Sequence, residues 1–501
     1  RPDNSSATFL LASAEQAPPI YYYAQEAELT EEKKKTMNAF DLRLYRNASI
    51  PEAARLAADT LEKMTGRRPE LRPVSSTDEV NRTVPGLVLG ALAADLGVPM
   101  ETNSPSRDGF RYKTLPPLLL ITGESDRGVF HGVCAFFESL GCGWYTPGEV
   151  GEVIPRLDRV TVPSNLDVTE TSPALHREYW GYGEWAVKNK GLAGCGNFRH
   201  AWGNLIPKEL FAEKPELFAL YRGNRTPRQL CTSNPETIQH AAETLMRWME
   251  ERPNDIVFEC GPSDGGGLCE CAECAKLFTE GYTEPSSGLP SYSDLVLKFA
   301  NDLATITSRK YPDKLLGFYI YSDYSRPPVK VREIHPNVFP MMAPIRRCRL
   351  HGPGNPICPS QLLWQEEIRA WGAMTRNLGF YPYNFNLADT LIPWTKMDTF
   401  RRLADEIRRL KLDRLAFTCE SINSWAMYAP HLYLSTRFMW NPYLNIEETL
   451  DRFYQGFYGE AAVPMKRYWT RLDETYARTP SHTGSFYGMH HVWTDELLAA
   501  C

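Results

Sequence analysis

The spacing of apolar positions changes several times along the chain, and each change predicts an element. The stretch 51-PEAARLAADTLEKMTG-66 repeats its apolar residues at helical spacing, with Pro at its start and Gly at its end, and reads as a helix. Before it, 40-FDLRLYR-46 alternates apolar and polar residues as a strand does. Short apolar runs at 86–90 and 117–123 predict strands. Residues 127-RGVFHGVCAFFESLG-141 predict a second helix with a Gly stop, and 143–155 with 158–163 predict strands and turns. Together these make a small α/β domain over 39–165. The polar residues 1–38, with a Pro-Pro pair and 31-EEKKK-35, read as an N-terminal arm.

From about residue 166 strand-like and helix-like segments alternate. The strand candidates are 174–182, 198–204, 255–261, 315–323, 337–345, 378–386 and 413–421, and helical patterns fit at 235–251, 290–310, 360–374 and 396–411. A β-then-α order predicts a parallel sheet. The number of units points to a (β/α)8 barrel over 166–440, with 441–501 as helices packing on it. A doubly wound open sheet is the alternative, but no glycine fingerprint follows the first strand. No repeat or low-complexity segment is visible.

Composition adds limits. The 501 residues are 43% hydrophobic and 23% charged, enough for a large core. The net charge is -6 and the basic residues are scattered, so a nucleic-acid partner is not expected. No apolar run approaches the roughly 18 residues a membrane span needs, and 115-LPPLLLITG-123 reads as a buried strand. The sequence starts at Arg1, consistent with a removed secretory segment and a secreted, periplasmic or surface location. Aromatic residues are 12%, including 12 Trp and 25 Tyr; these rings fill cores and also stack on sugars.

In a barrel the chemistry lies at the C-terminal ends of the strands. The polar residues falling there are Trp180, Tyr182, Glu184, His200, Trp202, Asp264, Tyr319, Tyr321, Asp323, Arg346, Tyr381, Tyr383, Asn384, Glu420 and Trp425. Carboxylates among aromatics, with an amide and a histidine, suit carbohydrate chemistry. Each residue also has a plainer reading. Asp264 ahead of 265-GGG-267 can simply close a turn. His200 can be a satisfied core histidine, and Tyr381 with Tyr383 can be core filling. Glu420 ends the apolar run 415-LAFTCE-420, where a carboxylate is costly unless paired or facing a cleft. The expected catalytic residues are therefore Glu420 and Asp264, with Asp323 in reserve. Trp180, His200, Trp202, Tyr321, Arg346, Tyr383, Asn384 and Trp425 are the expected substrate contacts. Neither a P-loop nor a GxSxG motif is present.

Cys269, Cys271 and Cys274 are spaced C-x-C-x2-C. Three thiolates so close can hold a structural zinc with a fourth ligand from elsewhere, and Cys348, His351 and Cys358 are candidate donors. A disulfide or free thiols in a tight loop are the alternatives. No cofactor is expected for catalysis itself.

The segments 128-GVFHGVCAFFESLGCGWYTPGE-149, 200-HAWGNLIP-207, 215-PELFALYRGNR-225, 229-QLCTSNPE-236, 262-PSDGGGLCECAEC-274, 348-CRLH-351, 436-TRFMWNPYLNIEE-448 and 458-YGEAA-462 together resemble the bacterial domain-of-unknown-function family 4838. Part of that family is classed as glycoside hydrolase family 163, endo-β-N-acetylglucosaminidases of complex N-glycans. The resemblance implies an α/β domain like those preceding α-glucuronidase and β-hexosaminidase barrels, then a catalytic barrel acting on a carbohydrate. The family pattern has a Glu before the cysteine that follows the fifth strand. Here 344-PIRRC-348 places Arg346 and Arg347 there, a pair suited to an acidic sugar. The rival expectations are a non-catalytic carbohydrate-binding protein and a zinc-dependent hydrolase centred on the cysteines.

Overall fold

A computed structural model describes residues 7–420, 424–484 and 488–501. The chain divides into two compact units, Arg1–Ala193 with Leu432–Arg467, and Gly194–His431 with Tyr468–Cys501. The division falls near 193 instead of 165, and it parts the expected C-terminal segment between the units.

The first unit holds β1 (Thr8–Ser13), β2 (Ile20–Tyr23), β3 (Leu71–Val74), β4 (Gly86–Leu89), β5 (Phe110–Leu115), β6 (Leu118–Gly123), β7 (Gly143–Trp144), β8 (Glu152–Val153), β9 (Arg159–Pro163), β10 (Asp167–Glu170) and β11 (Ala174–Trp180). Its helices are α1 (Glu31–Thr36), α2 (Ala39–Ala48), α3 (Ile50–Thr65), α4 (Ala91–Asp95), α5 (Asp126–Ser139) and α6 (Gly183–Lys188). The main sheet runs β10-β5-β6-β4-β2-β3, and β1 pairs antiparallel with β9. The expected arm is therefore corrected. Every residue of β2 is buried, and β2 pairs with both β3 and β4. Of the arm, residues 1–6 lie outside the described residues.

The expected strand at 40–46 is instead helix α2. Phe40, Leu44 and Ala48 are its buried residues, a spacing of four that stacks them on one helical face. The Asn38 side chain accepts from the Asp41 amide at 2.8 Å and caps the helix start. Helix α3 keeps the signals read from sequence, with Pro51 in its first turn and Gly66 ending it at φ 78°.

The second unit contains the hairpin β12 (Phe218–Tyr221) and β13 (Asn224–Leu230), then β14 (Val257–Glu259), β15 (Leu315–Tyr321), β16 (Val338–Ala343), β17 (Asn377–Phe380) and β18 (Arg414–Glu420). Neighbouring strands pair parallel in the order β14-β15-β16-β17-β18. Around them lie α7 (Trp202–Leu205), α8 (Pro235–Glu251), α9 (Ala272–Ala275), α10 (Ser293–Thr307), α11 (Pro359–Met374) and α12 (Met397–Leu410). The fold is thus mixed α/β with a parallel sheet, as the alternating pattern requires. The strands bury nearly every residue, as a sheet covered on both faces must.

The expected strand 198–204 does not form. Isolated parallel bridges join Gly196 to Val257 and His200 to Gly261, and the chain then turns into α7. Both the Ala201 and Trp202 amides donate to the Gly261 carbonyl, at 2.9 and 3.1 Å. The last residue of the expected strand 413–421 lies outside the described residues. No described helix is long and apolar enough to cross a membrane.

Candidate active site

Because the five strands of the second unit run parallel, the segments leaving their C-terminal ends gather at one edge of the sheet. Glu420 is the last residue of β18 and is only 7% exposed. Burial raises its carboxyl above the ordinary carboxylate range. A hydrogen bond from the Tyr381 hydroxyl and the positive charge of Arg349 restrain that rise. Tyr381 just follows β17, and burial followed by the Glu420 charge pushes its phenol up. Tyr383 has a left-handed backbone, φ 49°, and its ring stacks on Tyr381 with centroids 4.1 Å apart. The buried Lys396 ammonium donates to the Pro382 and Tyr383 carbonyls at 2.5 and 3.1 Å, which ties this turn down. The Arg349 guanidinium lies 4.5 Å from the Tyr383 ring centroid.

Asp264 follows β14. Its side chain is 70% exposed. Oδ1 accepts from the Gly265 amide at 2.9 Å, so the turn-closing role is present. The same oxygen accepts from the Tyr321 hydroxyl at 3.3 Å and faces His200 Nε2 at 3.7 Å. His200 Nδ1 lies 2.6 Å from the Pro262 carbonyl, a bond that Nδ1 donates and that orients the ring with Nε2 toward the carboxylate. Burial, then the Asp264 charge, pushes the Tyr321 phenol up to about 12. Gln229 fixes the loop from behind, donating to the Ser263 and Gly265 carbonyls and accepting from the Ser263 amide. Gly265 has φ 80°, a left-handed backbone that favours glycine at this position.

A run of rings connects the two carboxyls. His200 meets Tyr321 and Tyr319 edge-on at 5.5 and 5.6 Å, and Tyr319 lies 6.0 Å from Tyr381. Asp264 touches one end of this run and Glu420 the other. One side therefore offers an exposed carboxyl, and the other a buried carboxyl whose pKa is raised by burial.

Of the remaining expected site residues, Arg346 lies near enough to Tyr321 for its charge to act on that phenol. Asp323 is buried, accepts from Ser287 Oγ at 2.8 Å and pairs with Arg346 at 3.1 Å, an arrangement that fixes the loop after β15. Arg346 also donates to Ser322 Oγ at 3.0 Å, and Ser322 itself has φ 52°. Arg347 is buried between Glu284 and Glu367 and belongs to the framework. Trp202 is fully buried, donates to the Cys260 carbonyl at 2.7 Å and packs edge-on against Phe299. It is a core residue and not a sugar platform. Asn384 is fully buried beside Cys419. Trp425 is half-buried in a short turn. Trp180 belongs to the first unit, at the end of β11, and is exposed. Tyr381 and Arg349 are partners of Glu420 that are not among the expected catalytic or substrate-contacting residues. For Arg349 the available signal was its place inside 348-CRLH-351.

The cysteine motif folds back against the β12–β13 hairpin. Cys231, just after β13, completes a set with Cys269, Cys271 and Cys274 whose sulfurs all lie within 4.8 Å of one another. Cys231 Sγ and Cys271 Sγ are 3.6 Å apart. A zinc bound at 2.3 Å to four sulfurs would set them about 3.8 Å apart, so the donors suit that ion. The Leu220 amide donates to Cys269 Sγ at 3.3 Å, as backbone amides do to metal-bound thiolates. The expected donors Cys348, His351 and Cys358 are not part of this set.

Several solved structures are similar. CpGH89 from Clostridium perfringens, in complex with its substrate GlcNAc-alpha-1,4-galactose, aligns with a TM-score of 0.50 at 8% identity, covering 94% of this chain and 56% of that one. A family GH115 4-O-methyl-alpha-glucuronidase specific for decorated arabinogalactans aligns at 0.49 and 11% identity, over 94% and 61%. A beta-N-acetylhexosaminidase from Bacteroides fragilis aligns at 0.42 and 13% identity, over 94% and 93%. The chain thus spans less than two thirds of the first two of these structures, and at such identities the likeness to CpGH89 is one of fold. No curated protein matches the sequence. The profile of the family described as Domain of unknown function (DUF4838) matches residues 144–470, well over half of the chain, and the chain belongs to that family.

Proposed function

We propose that this protein is a glycoside hydrolase in which Glu420 protonates the leaving glycosidic oxygen. The observation that carries the reading is the environment of Glu420. It is a buried carboxyl with a raised pKa at the end of a parallel strand, bonded to Tyr381 and linked by rings to an exposed carboxylate. A general acid must be protonated when it acts, and desolvation shifts Glu420 in that direction. Asp264 is the second carboxylate, acting on the anomeric side as nucleophile, base or orienter. If the sugar carries a 2-acetamido group, that group can attack the anomeric carbon itself, and Asp264 then orients its amide. Tyr321, half-buried and bonded to Asp264, offers a ring and a hydroxyl to a sugar.

The substrate in this reading is a complex glycan or polysaccharide met outside the cytoplasm. Cleavage of an N-glycan core in the manner of an endo-β-N-acetylglucosaminidase is the narrower form. The catalytic architecture is a (β/α)8-type barrel. A structural zinc on Cys231, Cys269, Cys271 and Cys274 belongs to the reading as well. Four thiolates close its coordination shell, so it has no open position for a substrate and braces the Asp264 loop instead.

The test is digestion of a glycan panel followed by mass spectrometry. A product pair whose masses sum to substrate plus water, absent with Glu420→Gln, supports hydrolysis at this site. Binding without cleavage across the panel would support a carbohydrate-binding protein and reject the proposal.

A further inference from the structure

Cys348, His351 and Cys358 form a cluster of their own. Their ligand atoms and that of His482 lie within 4.8 Å of one another. The first three follow β16 and lead into α11, while His482 comes from the segment after the helix Ala462–Arg478. Cys348 Sγ is 3.3 Å from His351 Nδ1, and Cys358 Sγ is 3.4 Å from His482 Nδ1. A tetrahedral zinc holding sulfur at 2.3 Å and nitrogen at about 2.05 Å places such neighbours about 3.6 Å apart.

Two features point to a ligand site and not to chance packing. The first is the orientation of His351. Its Nε2 lies 3.0 Å from the Thr479 carbonyl, so the proton belongs on Nε2 and the Nδ1 lone pair faces the sulfurs. A histidine whose far nitrogen donates to a carbonyl is the usual arrangement behind a bound zinc. The second is enclosure. Cys348, His351 and Cys358 are all buried, and only His482 reaches the surface, so the cluster has an entry side. The surrounding backbone is fixed on both segments. Cys348 N donates to Ser360 Oγ, Arg349 N to the Thr483 carbonyl and Asn355 Nδ2 to the Ala477 carbonyl.

We propose that Cys348, His351, Cys358 and His482 bind a second structural zinc, which clamps the β16–α11 connection to the C-terminal segment. Two thiolates and two imidazoles are a common closed zinc set. The clamp has a specific consequence. Arg349 lies between two ligands, and its guanidinium packs on Tyr383 and faces Glu420. The zinc would therefore hold Arg349 in place. That consequence for turnover rests on the catalytic reading above, whereas metal binding does not.

The full chain should be purified without chelator and its metals measured by plasma mass spectrometry. Two zinc per chain are expected. His482→Ala and Cys358→Ser should each retain one, and Cys231→Ser should retain the other. Zinc X-ray absorption on the unaltered protein gives a check that does not depend on any variant folding. A mean shell of three sulfurs to one nitrogen is expected from one four-cysteine and one two-cysteine, two-histidine site. A sulfur-only shell, unchanged zinc in His482→Ala, or a Cys348–Cys358 disulfide in the intact mass would each overturn the proposal. Loss of turnover with both zinc ions retained would bear on the catalytic reading alone.

Discussion

Glu420 shows how one residue's surroundings set its role. Desolvation raises its pKa, while Tyr381 and Arg349 lower it from the height burial alone would give. An acid catalyst works in its protonated form, so the rate should fall as pH rises through this pKa. Removing a lowering influence moves that fall upward. Arg349→Gln and Tyr381→Phe should therefore each shift the alkaline limb of the kcat profile to higher pH. A limb that moved down or stayed in place would show that Glu420 is not the titrating acid. Trp202 makes the opposite case. As a fully buried indole bonded to Cys260, it should cost about 3–5 kcal/mol of stability when changed to Ala, read by chemical denaturation. Its sequence signal was ambiguous, because a Trp after a strand-like run suits both a sugar platform and a core. Only the packing against Phe299 separates the two.

Among elements, legibility followed the strength of the local start signal. Helices α8 and α11 begin at Pro235 and Pro359, and their observed spans match the expected ones to within a residue. The parallel strands β15, β16 and β18 were legible as apolar runs too long for a turn and too short for a helix. Helix α2 was misread because seven residues of 40-FDLRLYR-46 satisfy both periods, and the deciding residue, the cap Asn38, lies outside that window. Asn38→Ala should accordingly lower stability by about 1 kcal/mol, measured as a shift in the denaturation midpoint. An unchanged midpoint would mean that packing alone sets the helix start. The 198–204 segment was misread for a different reason. It makes a single isolated bridge, His200 to Gly261 just beyond β14, and no pattern of side chains encodes so little pairing.

At the scale of the whole chain, the carboxylates Asp264 and Glu420 were legible as candidates because Glu420 ends an apolar strand and Asp264 follows one. Their connection was not, since it runs through rings on three separate segments. The same limit applies to the metal donors. Cys231 and His482 stand alone in sequence, far from the motifs they complete. Chelation should expose the difference between bracing and chemistry. Stripping zinc is expected to lower the melting temperature and to reduce activity only as far as the loops loosen. Full loss of turnover in a chain with unchanged melting behaviour would instead favour a zinc-dependent hydrolase. The central claim is that Glu420 donates a proton to a departing sugar. It is tested most directly by comparing the native chain with Glu420→Gln on one cleaved glycan, measuring kcat together with Kd. The account predicts a fall in kcat of about 100- to 10,000-fold at nearly constant Kd. An undiminished kcat would contradict it.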